Sequence, residues 1–269
     1  MWQDLPKFRL ADRRPRDPVM SMQIPHLSRA AAKAVVSLAV LGVAVQPAVS
    51  AELDKRIFLV ETAAGSGSAF VIGPATNGRC VLVTSWHVIA DNAPQEPLVI
   101  RTPGGAKFQV SRSAFKEDQE LDLAFMPASD CNNSLKISLL RANSITVSTR
   151  VVIKGYPISM EGQSQGPVRP STAAGRVTLY SDITGYDLSY DAPTRPGYSG
   201  GPVLNENSAM LLGVHGMTDT VQDSQVYELR EALRVGGRGV SAPLLYRYLR
   251  SHGYTMPRSQ PAACLVGVC

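Results

Sequence analysis

The sequence predicts a mostly β protein with a single helix near its C-terminal end. From residue 56 onward, short segments rich in Val, Ile, Leu and Thr alternate with clusters of turn residues, which is typical of β-strands. The clusters at residues 74–78, 103–105 and 165–167 contain Pro and Gly, and these residues end strands and favour turns. A sustained helical spacing of apolar residues appears only at residues 242–251.

Each predicted strand is a short apolar run between two turn clusters. In chain order the predicted strands are residues 56–62, 67–73, 80–85, 97–102, 107–113, 121–126, 149–155, 175–180, 201–205 and 211–216. The predicted helix has Leu244, Leu245 and Leu249 on one face and Ser241 in front of it as a cap. Residues 217–237 are predicted to be a polar insertion between late strands.

The first 51 residues are predicted to be an export leader. Residues 20–51 have a basic start, an apolar run and small residues just before Glu52, as a secretory signal peptide has. The apolar run has about a dozen residues, too few for a bilayer that needs roughly 20. We therefore expect an exported protein, periplasmic or extracellular, without stable membrane insertion after cleavage; an uncleaved anchor is the alternative. The predicted organisation is an upstream extension at 1–19, a signal peptide at 20–51, one globular domain at 52–258 and a Cys-containing tail at 259–269.

The charge of the predicted mature chain is close to neutral. Residues 1–51 contain seven of the 27 Lys and Arg and three of the 22 Asp and Glu, which leaves 20 basic and 19 acidic residues. The high isoelectric point of the full chain therefore comes mainly from the leader. No basic face is apparent, so we expect no nucleic-acid partner.

All four cysteines lie after the predicted cleavage point. An even number of cysteines in an exported chain predicts disulfides, and three pairings are possible. We favour Cys80 with Cys131 and Cys264 with Cys269, because the last two lie in one short tail. There is no Cys-X-X-Cys pair and there are only three histidines after residue 51, so we expect neither a metal site nor a cofactor.

A serine in a glycine-rich stretch is the first candidate for chemistry. Residues 193–205 read PTRPGYSGGPVLN and place Ser199 among three glycines. The Gly-X-Ser-X-Gly pattern also describes the nucleophile elbow of α/β-hydrolases, which requires a strand-to-helix turn followed by an acid and then a histidine. Asp219 or Asp223 and His252 supply that order, but the chain has no alternating βαβ pattern to support it. By itself the stretch could also be only a structural turn.

Two further motifs decide between these readings of Ser199. The predicted strand at 80–85 leads into Thr-Ser-Trp-His, ending at His87, and Asp122 lies in Leu-Asp-Leu-Ala. His87, Asp122 and Ser199 follow one another at spacings of 35 and 77 residues. With Gly-Tyr-Ser-Gly-Gly-Pro around the serine, this order resembles the chymotrypsin-like serine peptidases, from about residue 65 to 249. Asp118 and Glu120 are competing acids without the Leu-Ala continuation.

The resemblance implies a fold and a set of roles. The fold implied is two six-stranded antiparallel β-barrels followed by the C-terminal α-helix, and the domain at 52–258 is then a peptidase domain acting on polypeptides, with a monomer favoured. Ser199 would attack the peptide carbonyl, His87 would act as general base and then acid, and Asp122 would orient His87. The N–H groups of Gly197 and Ser199 would form the oxyanion hole. Each candidate could instead be structural: a turn serine, a core imidazole or a strand-end carboxylate.

The resemblance also suggests how this chain differs within the family. Tyr198 stands where digestive members carry the aspartate that pairs with a new N-terminus after zymogen cleavage, so the chain is closer in motif to bacterial glutamyl endopeptidases and periplasmic heat-shock proteases. Pro193 stands where trypsin-like members carry an aspartate. Thr194 and His215 match the threonine and histidine of glutamyl endopeptidases, and could bind a substrate carboxylate, with charge assistance if His215 is protonated.

The expected substrate contacts extend along the strand that contains His215. Val214, His215 and Gly216 are expected to pair with an extended polypeptide, as in strand addition. The expected function is thus an exported serine endopeptidase that prefers Glu before the scissile bond. The alternatives are a protease-fold binding protein with weak or no catalysis, an exported serine esterase, or a peptidase in which His215 only lines the pocket wall.

Overall fold

In the computed structural model the chain forms two packed β-sheets with one long helix at the C-terminal end. The structure describes residues 53–129, 131, 145–158, 169–181, 185–220 and 234–257. The predicted extension at 1–19, the signal peptide at 20–51, the tail at 259–269 with Cys264 and Cys269, and much of the predicted insertion at 217–237 lie outside these residues.

The first sheet has seven strands in the order β5-β4-β1-β2-β3-β7-β6, all antiparallel. Its strands are β1 (Ile57–Glu61), β2 (Ser66–Ile72), β3 (Cys80–Thr84), β4 (Pro97–Arg101), β5 (Lys107–Ser111), β6 (Lys116–Asp118) and β7 (Leu123–Ala128). A short helix, α1 (Trp86–Ile89), follows β3 directly.

The second sheet closes into a six-stranded barrel in the order β10-β13-β12-β11-β8-β9. Its strands are β8 (Arg150–Gly155), β9 (Ser171–Tyr180), β10 (Leu188–Tyr190), β11 (Pro202–Asn205), β12 (Leu211–Thr220) and β13 (Arg234–Ser241). The final helix, α2, is Ala242–Ser251. The predicted all-β class with two barrel-like sheets and a C-terminal helix is confirmed; the first sheet has seven described strands instead of six.

Strand β2 shows why several segments are apolar without alternation. Ala69 and Val71 belong to the core inside the first sheet, whereas Phe70 and Ile72 belong to a second core shared with the other barrel and α2. Because successive side chains of a strand point to opposite faces, a strand with two covered faces is apolar throughout. The layer between the two sheets therefore excludes water along its length.

Helix α2 has the bounds that the sequence predicts. Leu244, Leu245 and Leu249 are buried in the shared core. Ser241 occupies the N-cap position but makes no capping hydrogen bond; its hydroxyl donates to Asp187 instead. Within the described ranges, no helix has both the length and the apolar character needed to cross a membrane.

The predicted pairing of Cys80 with Cys131 is confirmed. The two Cα atoms are 5.6 Å apart, within the usual range for a disulfide. The bridge joins the start of β3 to the chain just after β7, two strands that also pair along their length. It therefore ties together the two strands that carry His87 and Asp122 at their opposite ends.

Candidate active site

His87 and Asp122 meet because β3 and β7 are antiparallel neighbours. Thr84, the last residue of β3, pairs with Ala124 in β7. The residues that follow β3 and the residue that precedes β7 therefore lie at the same edge of the sheet. His87 is in the first turn of α1, and Asp122 lies immediately before β7.

The carboxylate of Asp122 holds both the backbone and the ring of His87. Asp122 Oδ1 accepts from the His87 backbone N–H at 2.8 Å, and Asp122 Oδ2 is 2.8 Å from His87 Nδ1. Asp122 has a φ of 51°, a left-handed conformation that is uncommon outside glycine and recurs at functional sites. The pairing leaves the Nε2 side of the imidazole directed away from the carboxylate.

A charged network fixes the position of α1. Arg112 forms two hydrogen bonds to Glu117, each 2.8 Å long, and also donates to the carbonyls of Ala90 and Asn92, just after α1. Glu117 in turn accepts from the indole N–H of Trp86 at 3.2 Å. The Arg112 hydrogen bond lowers the pKa of Glu117, so Glu117 stays an anion that both neighbours can hold.

Ser199 lies on the other sheet, in the turn just before β11. Its backbone carbonyl accepts from Ser68 N–H in β2 at 2.7 Å, which docks the turn against the first sheet. Its hydroxyl donates to the Gly216 carbonyl at 3.0 Å. In the described part of the chain no hydrogen bond joins this hydroxyl to His87. Such contacts are often loose without substrate, and a rotation about χ1 redirects the hydroxyl.

The turn of Ser199 approaches α1 closely at Gly67. A Cβ at Gly67 would lie 2.6 Å from Val88 Cγ1 and 3.1 Å from the Ser199 carbonyl oxygen. Val88, which follows His87, and the backbone of Ser199 therefore both pack against Gly67, where there is no room for a side chain. This contact brings the His87 helix and the serine turn together across the two sheets.

The backbone before Ser199 leaves two N–H groups available. The Pro196 carbonyl accepts from Ile158 N–H at 2.9 Å, and in a trans peptide the N–H points opposite to the carbonyl. The Gly197 N–H is therefore turned away from Ile158. Gly197 has a φ of 95°, which favours glycine. Within the described ranges neither the Gly197 nor the Ser199 N–H has a hydrogen-bond acceptor, so both could bind an oxyanion.

A cleft of about 400 Å³ opens beside His87 and Asp122. Its wall is formed by Trp86, His87, Gln119, Glu120, Leu121, Asp122, Gly185, Tyr186 and Met217. The wall comes from both sheets, since residues 86–87 and 119–122 connect strands of the first sheet, whereas Gly185 and Tyr186 precede β10 and Met217 belongs to β12 in the second. The cleft can therefore receive an extended chain that runs across the junction of the two sheets.

The family follows from a match to known sequences. Residues 67–214 match the family model described as a trypsin-like peptidase domain, which is more than half of the chain. The chain belongs to the trypsin-like peptidase family. The sequence matches no curated protein at a significant level.

Solved structures of proteases share the fold of this peptidase. An inactive form of Rv3671c from M. tuberculosis, a serine-to-alanine mutant, is similar with a TM-score of 0.53 and 19% identity, over 79% of this chain and 93% of that chain. The HtrA-type protease AlgW with a tripeptide is similar with a TM-score of 0.55 and 20% identity, over 78% of this chain and 65% of that chain. At these identities the likeness shows the fold alone.

In the peptidase, Thr194 and His215 are both buried and both pack against Gly237. A Cβ added at Gly237 would lie 2.9 Å from His215 Cε1 and 3.0 Å from Thr194 Oγ1. Both side chains can come this close to the backbone of residue 237 only because that residue is a glycine. Thr194 Oγ1 is also 3.0 Å from the hydroxyl of Thr218.

His215 is fully buried and only one of its ring nitrogens is occupied. Tyr190 Oη is 2.5 Å from His215 Nδ1, whereas within the described residues His215 Nε2 has no hydrogen-bond partner. Burial is the main cause that lowers the pKa of His215 to about 3, so the imidazole is neutral at physiological pH. If Tyr190 donates to Nδ1, the ring proton is on Nε2, which is then a buried donor without an acceptor among the described residues.

The burial of neutral His215 predicts acid lability. Between about pH 6.5 and pH 3 the unfolded chain binds a proton at this residue that the folded protein does not, so the free energy of unfolding falls as pH decreases. From pH 7.5 to pH 5 the expected loss from this group is about 2 kcal/mol. Denaturant unfolding at both pH values should show this extra loss in the parent and not in His215→Gln. Equal losses in the two proteins would contradict the assignment.

The backbone of β12 pairs with neighbouring chain segments at Val214 and His215. Val214 pairs with Pro202 in β11 and with Val240 in β13, and its side chain is buried in the core. The His215 N–H donates to Gly201 at 2.8 Å, and its carbonyl accepts from Gly200. Backbone groups of Val214 and His215 thus have partners within the barrel, and the expected pairing of residues 214–216 with substrate stays a prediction. Strand β11 pairs with β12 only as far as Val214.

The residues before Ser199 divide between the core and the surface. Tyr198 is buried, and its hydroxyl donates to Ser171 at 2.8 Å; burial raises the pKa of Tyr198. Pro193 and Arg195 are exposed and line a shallow depression together with Ser171. Arg195 is therefore on the surface, whereas Thr194 and His215 are buried.

Two other acids compete with Asp122 in the sequence, and the structure places both away from the His87 ring nitrogen. Asp118 Oδ1 accepts from the Leu121 N–H at 2.9 Å, and Glu120 is exposed at the cleft wall.

Three residues at the site, Ser68, Tyr186 and Tyr190, were not predicted from the sequence. Ser68 lies in a Gly-Ser-Ala stretch and donates to the Gly197 carbonyl at 2.7 Å. No local sequence signal identifies the two tyrosines, because their roles depend on distant partners.

Proposed function

We propose that the peptidase is a serine endopeptidase in which Ser199, His87 and Asp122 form the catalytic triad. The observation that carries the proposal is the Asp122–His87 pair at the edge where the Ser199 turn docks between the sheets. Ser199 attacks the substrate carbonyl as His87 Nε2 takes its proton, and Asp122 stabilises the imidazolium. The Gly197 and Ser199 N–H groups receive the oxyanion.

The proposed substrate is a polypeptide in an extended conformation. From Gly216 onward, β12 has an edge that β11 does not cover, next to the cleft beside His87. A chain that adds to this edge gains backbone hydrogen bonds that do not depend on its sequence. Specificity is then left to the side chain before the scissile bond.

A fluorophosphonate reagent tests the serine chemistry directly. It should label the parent protein at Ser199 and should not label Ser199→Ala. Absence of labelling in the folded parent would favour a protease-fold binding protein. Labelling accompanied by hydrolysis of simple esters but not of any peptide would favour an esterase.

The proposed side-chain preference is Glu, and to a lesser degree Asp, before the scissile bond. A buried donor without an acceptor is unfavourable, and a substrate carboxylate would satisfy His215 Nε2. The hydroxyl of Thr194, which packs against Gly237 as His215 does, provides a second donor. The exposed position of Pro193 supplies no acid for a Lys or Arg substrate. Desolvation of the carboxylate is offset only if both oxygens find partners.

The proposed Glu preference can be tested by substituting His215 and comparing kcat/KM for Glu and apolar substrates. His215→Ala should lower kcat/KM for a Glu substrate by about 10 to 100-fold, or roughly 1.4 to 2.7 kcal/mol, and should affect an apolar substrate far less. Matched peptides with Glu or Gln at this position isolate the charge. Gly237→Ala is a second variant, because its Cβ would lie 2.9 Å from His215 Cε1 and 3.0 Å from Thr194 Oγ1 and would displace these groups without removing them. A cleavage profile dominated by Leu, Phe, Val or Ala would contradict the acidic pocket and leave the triad untouched.

We also propose that the protein is exported. The signal-like residues 20–51 support this proposal, and so does the disulfide between Cys80 and Cys131. Disulfides form and persist in oxidising compartments such as the periplasm or the extracellular space. The proposed mature chain begins near Glu52.

A further inference from the structure

Asp122 has a second side-chain partner besides His87. The hydroxyl of Tyr186 donates to Asp122 Oδ2 at 2.6 Å, and this is the same oxygen that contacts His87 Nδ1. Tyr186 lies just before β10, in the second sheet, whereas Asp122 belongs to the first. The carboxylate is therefore held from both sheets.

The ring of Tyr186 fits where a neighbouring residue has no side chain. A Cβ at Gly216 would lie 2.1 Å from Tyr186 Cε1 and 2.7 Å from Tyr186 Oη. The ring thus fills the space above Gly216, whose carbonyl holds the Ser199 hydroxyl. Any side chain at residue 216 would displace the tyrosine from Asp122.

The tyrosine hydroxyl keeps its proton. Burial, followed by the hydrogen bond to Asp122, raises the pKa of Tyr186, so the group remains a donor throughout the working pH range of a protein. The side chain of Asp122 is only 12% exposed, so water cannot readily replace this donor. A buried carboxylate that loses a donor is free to rotate or to recruit another partner.

We propose that Tyr186 is a positioning residue that fixes the carboxylate of Asp122 so that the His87 ring is correctly oriented toward Ser199. This inference rests on the proposed serine endopeptidase function. Tyr186 takes no part in proton transfer. It determines the orientation of Asp122 Oδ2, and through it the orientation of the imidazole.

The conservative variant Tyr186→Phe tests the role of the hydroxyl. The ring continues to fill the space above Gly216, so folding should be unaffected. We expect kcat to fall by about tenfold with KM within twofold of the parent, because the hydroxyl acts through the triad and not on substrate binding. A kcat within twofold of the parent would overturn the proposal. A change confined to KM would also overturn it, since Tyr186 would then act as a wall of the cleft.

A compensating pair of variants separates positioning from packing. Tyr186→Ala removes both ring and hydroxyl, and the Cβ of a residue at 216 would point into the vacated space near Asp122. We expect Tyr186→Ala/Gly216→Ser to recover at least threefold in kcat over Tyr186→Ala, and the control Tyr186→Ala/Gly216→Ala to recover nothing. Equal recovery in the two double variants would show that filled volume matters, and would overturn the proposal. An inactive parent would instead count against the proposed function.

Discussion

Ser199→Ala and His87→Ala should each lower kcat/KM for peptide hydrolysis by at least about 10³-fold while the fold is retained. The serine oxygen is the proposed nucleophile, and a hydroxyl at neutral pH attacks poorly unless an imidazole takes its proton. Because the groups act as a unit, the double variant should be no worse than the poorer single variant. Steady-state kinetics with a peptide pool and thermal unfolding of each variant provide the measurement.

Ser208→Ala is the matched control for the serine substitution. Ser208 is exposed in the turn between β11 and β12 and bonds only locally to Asn205 in the hydrogen bonds described. Its substitution should leave kcat/KM within twofold of the parent. If Ser199→Ala or His87→Ala retained activity within tenfold of the parent, the proposed triad would be incorrect.

Gly197→Ala should lower kcat by about 10² to 10³-fold, the usual effect of losing one oxyanion donor. A Cβ at Gly197 would lie 2.1 Å from the Tyr156 carbonyl oxygen and 2.9 Å from Ile158 N. The φ of 95° at this residue is also unfavourable for alanine. The backbone at Gly197 must therefore shift, including the Pro196–Gly197 peptide that carries the Gly197 N–H. The measurement is kcat and KM for one peptide substrate, with labelling by a fluorophosphonate as a check that Ser199 is still accessible.

Gly105→Ala separates backbone strain from the local clash at Gly197. Gly105 has a φ of 87°, but a Cβ there would meet no atom within 4 Å. Its substitution should lower stability by about 1 kcal/mol and leave kcat unchanged. For Gly197→Ala, kcat should be calculated per folded molecule. If that value equalled the parent's, the oxyanion role of Gly197 would be ruled out.

The sequence alone determined the fold class, the order of most strands and the bounds of helix α2. These features depend on local patterns: apolar runs between turn residues, and a helical repeat at residues 242–251. The disulfide between Cys80 and Cys131 was also predicted, as one of three possible pairings. The motifs named His87, Asp122 and Ser199 as candidates, because nucleophilic chemistry requires these residue types and their order is typical of one family.

Strands β10 and β13 of the closed barrel were not predicted from the sequence, and neither was β6 in the first sheet. β13 contains three glycines and two arginines in place of an apolar run, and β10 has only three residues. Their pairing is fixed by their neighbours in the closed barrel, not by their own composition. A prediction from local pattern therefore placed much of β13 in a polar insertion.

Only the tertiary structure decided how the candidate site is assembled. Tyr186 and Tyr190 reach Asp122 and His215 from positions 64 and 25 residues away, and no local pattern encodes such contacts. The neutral state of His215 depends on its burial, which requires both neighbouring strands of the barrel. The same strands cover Val214, and β11 pairs with β12 no further than Val214. The sequence specifies the type of each side chain, whereas its burial and the partners of its polar atoms depend on which distant strands pack together.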